Sequence, residues 1–158
     1  MSRQNGGAMC DHCGCREYRP IAELTAEHGT ILGIAEALAD ATERSIPFPP
    51  ADRARLRALL ISHARKEELG LYPLLIAQSE DEPSAYDHLV DEHREVILAI
   101  DAGRFDHLAL YALQRHIEEE DEGLFTRSTF FFDGDTWDAM SAAHELVESE
   151  SPNSTQQH

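Results

Sequence analysis

The stretch His63-Ala-Arg-Lys-Glu67-Glu68-Leu-Gly70-Leu71-Tyr72-Pro73 recurs in altered form as His116-Ile-Glu-Glu-Glu120-Asp121-Glu-Gly123-Leu124-Phe125-Thr126. In an α-helix, residues i and i+4 lie about 40° apart around the axis and about 6 Å apart along it. Each copy therefore aims one imidazole and one carboxylate the same way, the spacing that metal ligands on a helix use. A Glu-His pair precedes each copy at a distance, Glu27-His28 before the first and Glu92-His93 before the second. The chain reads as a duplicated helical hairpin, each half carrying one lone His and one His-x-x-x-Glu.

Global composition narrows the class. A length of 158 residues with 42% hydrophobic residues suits one domain with a real core. Thirteen basic against 30 acidic residues give a formal charge of -17, which repels phosphate backbones and anionic lipid surfaces and argues against nucleic-acid and membrane partners. No apolar run approaches the roughly 20 residues of a spanning helix, and the polar start Met1-Ser-Arg-Gln-Asn lacks the apolar centre of a signal peptide. A cytoplasmic protein is expected. The three cysteines, Cys10, Cys13 and Cys15, are too close together to staple a domain and suit metal or redox work.

In chain order, residues 1–19 form a Cys-containing arm, residues 20–148 the folded domain, and residues 149–158 a polar tail expected to be disordered. Pro20 opens a helical stripe of Ile21, Leu24, His28, Ile31, Ala35 and Leu38. The prolines of Ser45–Pro50 break the helix. A second helix starts near Ala51, aligns Leu56, Leu60, His63, Glu67 and Leu71, and is expected either to end at Pro73 or to kink there and continue through Leu74, Leu75 and Ile76. Leu89, His93, Val96 and Ile100 line a third that ends near Gly103; Asp106 caps a fourth carrying Leu110, Leu113, His116, Ile117 and Glu120. A last short helix spans about Asp135 to Glu148. The expected fold is all-α: an up-down-up-down four-helix bundle with an additional short C-terminal helix.

His28, His63, Glu67, His93, His116 and Glu120 all fall within the apolar stripes, so the bundle aims four imidazoles and two carboxylates at its own interior. Two carboxylates in a dry core repel each other and lose hydration unless a cation lies between them. A pair of metal ions resolves the conflict. Imidazole with carboxylate suits iron, manganese or zinc better than calcium or copper(I). Two histidines per metal and two bridging carboxylates leave open positions, where a redox metal takes O2, peroxide or nitric oxide.

The order His28, His63-x-x-x-Glu67, His93, His116-x-x-x-Glu120 resembles the hemerythrin-like family, the HHE cation-binding domain, over about Ile21 to Phe125. The resemblance implies a four-helix bundle enclosing two iron ions, a non-haem di-iron centre that is oxo-bridged when oxidised, with those six residues as ligands. The oxygen-carrying members have a second His where this chain has Ile97, and use His-x-x-x-x-Asp in the fourth helix, a spacing at which Asp121 stands. The four-His, two-Glu set is more similar to bacterial proteins that handle nitric oxide or peroxide and repair iron-sulfur centres. The resemblance thus implies binding of, or reaction with, a small oxidant, with turnover as an oxidoreductase left open. Iron-sulfur cluster repair or iron donation, and a non-enzymatic iron or oxygen sensor or adaptor, stand as alternatives.

Around this set, Glu68 and Asp121 are expected as outer acids that replace their neighbours as ligands only where the helix bulges. Tyr72 and Tyr111 are the tyrosines nearest in sequence to ligands, for packing, hydrogen bonding or an open metal position. His88 and His107 should face away, whereas His144 on the C-terminal helix has a route to the site. Gly70 and Gly123 signal either close packing or a loosened helix, and Phe130-Phe131-Phe132 a core segment, an interface patch or a wall of the site. Cys10, His12, Cys13 and Cys15 form a second candidate site, for zinc, an iron-sulfur unit or redox work, with an inert arm as the alternative.

Overall fold

A computed structural model describes residues 18–150, and among these there are helices and turns but no strand. Helix α1 spans Arg19–Glu43. Helix α2, Pro50–Lys66, passes through a π-helical turn at Glu67–Leu71 into α3, Tyr72–Ser79. Helix α4 spans Asp87–Asp101. Helix α5, His107–Glu119, passes through a second π-turn at Glu120–Leu124 into α6, Phe125–Phe131. Helix α7 spans Gly134–Glu150. The described chain thus makes five helical rods, four in the bundle and one laid against it.

Local chemistry sets the boundaries. Proline falls in the first turns of both α1 and α2, where its missing amide has no intrahelical partner to lose. Gly103, at φ 69°, turns the chain after α4 through the left-handed region that favours glycine. Asp106 Oδ1 accepts the Ala109 amide at 3.0 Å and caps α5, as its position suggested. Of the two outcomes expected at Pro73, the rod does not end there: α3 continues through Leu74, Leu75 and Ile76 to Ser79. The turn just before Pro73 is π-wound, with the Tyr72 amide donating to the Glu67 carbonyl, and this wider turn lets the chain take up the proline.

Two apolar clusters bracket a polar layer. One contains Leu24, Leu71, Leu75, Leu89, Leu124 and Phe125; the other contains Ile31, Leu56, Leu60, Val96, Leu113 and Ile117. Along α1 the order is Leu24, His28, Ile31, and along α4 it is Leu89, His93, Val96, so the histidines lie between the clusters. Helix α7 packs against α1, α2 and the first π-turn and is longer than expected, taking in Ser149 and Glu150 of the tail expected from the sequence. No helix among the described residues is long and apolar enough to cross a membrane. The Cys10, His12, Cys13, Cys15 site and residues 151–158 lie outside the described residues.

The Phe130-Phe131-Phe132 run divides by position. Phe132 is buried edge-on against Trp137, Phe131 lies under the Arg127 guanidinium, and Phe130 is 81% exposed. The residue of that region that touches the polar layer is Phe125, stacked on His28 with centroids 5.5 Å apart.

Candidate metal centre

All six interior polar residues are buried, with Glu67 and Glu120 at 0% exposure. Two carboxylates at that depth require compensating positive charge. Around them the four histidines are oriented alike, each by a carboxylate on a neighbouring helix. The Nδ1–H groups of His63 and His116 donate to Glu27 and Glu92, both at 2.7 Å; those of His93 and His28 donate to Glu68 and Asp121, at 2.7 Å and 2.9 Å. An ionised carboxylate can only accept, so it holds a proton on Nδ1 and turns Nε2 inward. Ligating histidines are commonly fixed in this way.

The inward nitrogens converge on the two glutamates. His63 Nε2 lies 2.9 Å from Glu67 Oε2, His93 Nε2 lies 3.0 Å from Glu67 Oε1, and His28 Nε2 and His116 Nε2 lie 3.2 Å and 3.4 Å from Glu120 Oε1. Proximity does not mean that every contact is a hydrogen bond. His63 Nε2, Glu67 Oε2 and His116 Nε2 have no partner with bonding geometry, despite the short separations. Each buried polar atom left so costs about 1–3 kcal/mol. Cations accepting these lone pairs, one in each of two groups of donor atoms, would remove that cost.

The donor atoms fall into two groups, His28, His63, Glu67 and Glu120, and Glu67, His93, His116 and Glu120, with all atoms of a group within 4.8 Å of one another. Both carboxylates belong to both groups, which is consistent with a di-metal site. Without a metal, the facing carboxylates favour the protonated imidazoles. Burial by itself would push the imidazoles down, but the facing carboxylates outweigh it and hold His28 and His93 up at about 9 and His63 at about 10. Burial likewise opposes ionisation of Glu67, and the histidines around it, His63 foremost, overcome this and hold it well below the usual carboxylate range.

Tyr72 enters the layer from the end of the first π-turn. Its hydroxyl donates to Glu120 Oε2 at 2.5 Å and approaches Glu67 Oε1 at 3.1 Å and His93 Nε2 at 3.5 Å. Burial and the two carboxylates push its ionisation far up, so it remains a proton donor. Tyr111, the other tyrosine considered, is 55% exposed and takes no part. His88 and His107 pair with Glu119 and Asp40 at the surface. His144 is buried and donates from Nδ1 to Glu23 at 2.9 Å, and it belongs to neither donor group.

Both rods do bulge, at Glu67–Leu71 and Glu120–Leu124, yet the acids do not exchange places: Glu67 and Glu120 stay inside, and Glu68 and Asp121 orient histidines. Sequence reasoning used Glu27 and Glu92 only as markers of the repeat, and did not assign their hold on His63 and His116. It also missed Lys66, 2% exposed, whose ammonium donates to Glu27 at 2.5 Å and Glu148 at 2.6 Å. A lysine placed three residues after His63 carries no local signal of burial.

No curated protein and no solved structure matches the chain. The model of the hemerythrin HHE cation binding domain matches residues 19–128, which include all six interior residues and both orienting pairs. With the fold and the two donor groups in agreement, the chain belongs to the hemerythrin HHE cation-binding family.

Proposed function

We propose that the protein holds two iron ions between its four bundle rods and binds or reacts with O2, peroxide or nitric oxide. The observation that carries this is the sharing of Glu67 and Glu120 by two donor groups whose histidines are all oriented from behind. The donor set of nitrogen and oxygen suits iron, manganese or zinc, and iron, like manganese and unlike zinc, supplies both Lewis acidity and one-electron change at each ion. His28 and His63 would hold one ion, and His93 and His116 the other. Glu27, Glu92, Glu68 and Asp121 keep the imidazoles in ligating orientation. Tyr72 holds a proton beside the second pair, and the flanking apolar clusters keep bulk water away from it.

Metal content and the near-ultraviolet spectrum of the purified protein test the proposal. About two irons per chain, with charge-transfer bands that change when the reduced form meets peroxide or nitric oxide, are expected. One zinc and no such bands would overturn it. Glu120→Ala should lower occupancy to one ion or none, since the remaining donors are undercharged for two; two retained ions with an unchanged spectrum would refute the bridging role. The same preparation separates the alternatives. Delivery of iron to an apo cluster protein would favour repair, and oxygen-dependent capture of a protein partner would favour a sensor.

A further inference from the structure

A cavity of about 300 Å³ lies between α4 and α5 and ends on the four histidines. The duplication shows why it is there. Aligning His28 with His93 and His63 with His116 pairs Ile34 with Ala99, Leu56 with Ala109 and Leu59 with Ala112. In the first hairpin those large side chains pack into the apolar cluster; in the second Ala99 and Ala109 border the same cluster and, with Ala112, line the cavity. Each alanine withdraws about three carbons from the seam, and a rigid bundle closes such gaps only in part.

Size and charge decide what fits. A diatomic gas needs about the space of one water, roughly 30 Å³, while a cavity of roughly 150 Å³ accepts benzene. At about 300 Å³ this one suits roughly eight to twelve non-hydrogen atoms. Ile31, Leu60, Val96 and Leu113 line its interior and Leu108, 76% exposed, stands at its mouth. Glu92, Glu95 and Asp106 add acidic groups to the lining, and the chain's charge of -17 has the same sign. Approach of anions such as fatty-acid carboxylates from solvent is disfavoured.

We propose that the cavity between α4 and α5 binds an uncharged, apolar organic molecule of about ten non-hydrogen atoms and holds it against the histidine floor. The inference rests on the proposed di-iron function only for the chemistry after binding; occupancy of the cavity does not need the metal. The substrate class would then be an apolar organic molecule rather than a dissolved gas alone.

Titration of the full-length protein, as purified and after chelation, with n-butylbenzene tests this by methyl NMR. Saturable binding tighter than about 1 mM is expected, with shifts at Val96, Ala99, Leu108, Ala109 and Ala112. The anionic 4-phenylbutyrate should bind at least about tenfold more weakly. Ala109→Leu with Ala112→Leu, which restores the side chains of the first hairpin, should weaken n-butylbenzene at least about tenfold without changing metal content. Ala112→Leu alone, at an exposed position, should weaken it in the same direction and serves if the double variant fails to fold. Absence of saturation, binding insensitive to these variants, or equal binding of the anion would overturn the proposal. Binding by a protein found to hold one zinc would uphold it while the di-iron reading failed.

Discussion

Tyr72 is where the two halves of the centre cease to be equivalent. Glu27 pairs with Glu92, His28 with His93, His63 with His116, Glu67 with Glu120 and Glu68 with Asp121, but the partner of Tyr72 is Phe125. Both rings stack on a histidine of the donor groups, Tyr72 on His93 and Phe125 on His28, so only the hydroxyl distinguishes them. Tyr72→Phe therefore copies the other half and should keep two metals and the fold. Loss of a hydrogen bond to a charged group, worth about 1.5–3 kcal/mol, should slow reaction of the reduced protein with peroxide by about tenfold or more. Stopped-flow absorbance checks this; loss of metal would instead make the hydroxyl a ligand. Six interior positions are legible in the sequence because His-x-x-x-Glu spacing is helix geometry. The orienting acids are not, since Glu27 reaches His63 across 36 positions and only the relative rotation of α1 and α2 brings them together.

At the scale of the element, the two π-turns shape the layer. Each begins at a glutamate and closes with an i to i−5 bond, Tyr72 amide to Glu67 carbonyl and Phe125 amide to Glu120 carbonyl. The wider turn brings the aromatic residue, five positions on, over the face that carries the glutamate. Such turns recur at functional sites. Apolar periodicity marks the rods but passes over these turns, because one extra residue shifts an apolar stripe by less than its own width; Pro73 is the visible mark, and by itself it signals a kink. The paired glycines separate under the same geometry. A Cβ at Gly70 would sit 3.3 Å from Ala143 Cβ of α7, while one at Gly123 meets nothing within 4 Å. Gly123→Ala should stabilise by about 0.4–1 kcal/mol by restricting the unfolded chain, and Gly70→Val should cost about 1–3 kcal/mol by forcing α7 away. Thermal melts of the two variants should move in opposite directions, and parallel shifts would contradict the difference in packing.

Across the whole molecule, α7 covers one half and leaves the other accessible. Met140 and Ala143 close over Gly70, and Lys66 ties α7 to His63 through Glu148 and Glu27. In the second hairpin the cavity reaches the histidines between α4 and α5. The centre itself balances charge in one of two ways. Four protonated Nε2 groups, on His28, His63, His93 and His116, carry the same positive charge as two divalent ions, and all four imidazoles are held above their ordinary value of 6.5. Because their folded values are raised, protons stabilise the metal-free fold fully below about pH 6.5, and that contribution is lost as pH climbs through about 9 to 10. Glu67, held well below 4.5, acts in the opposite sense, and its contribution is complete throughout that window. Chelated protein should therefore melt at progressively lower temperature between pH 6.5 and 10, whereas metal-loaded protein, whose ions replace those protons, should show little of this decline. Calorimetric melts of both forms across the window decide the matter. A chelated form whose melting temperature stayed level or rose with pH would mean that the imidazoles are already neutral without metal, and that the two glutamates are balanced by something other than the histidines that face them.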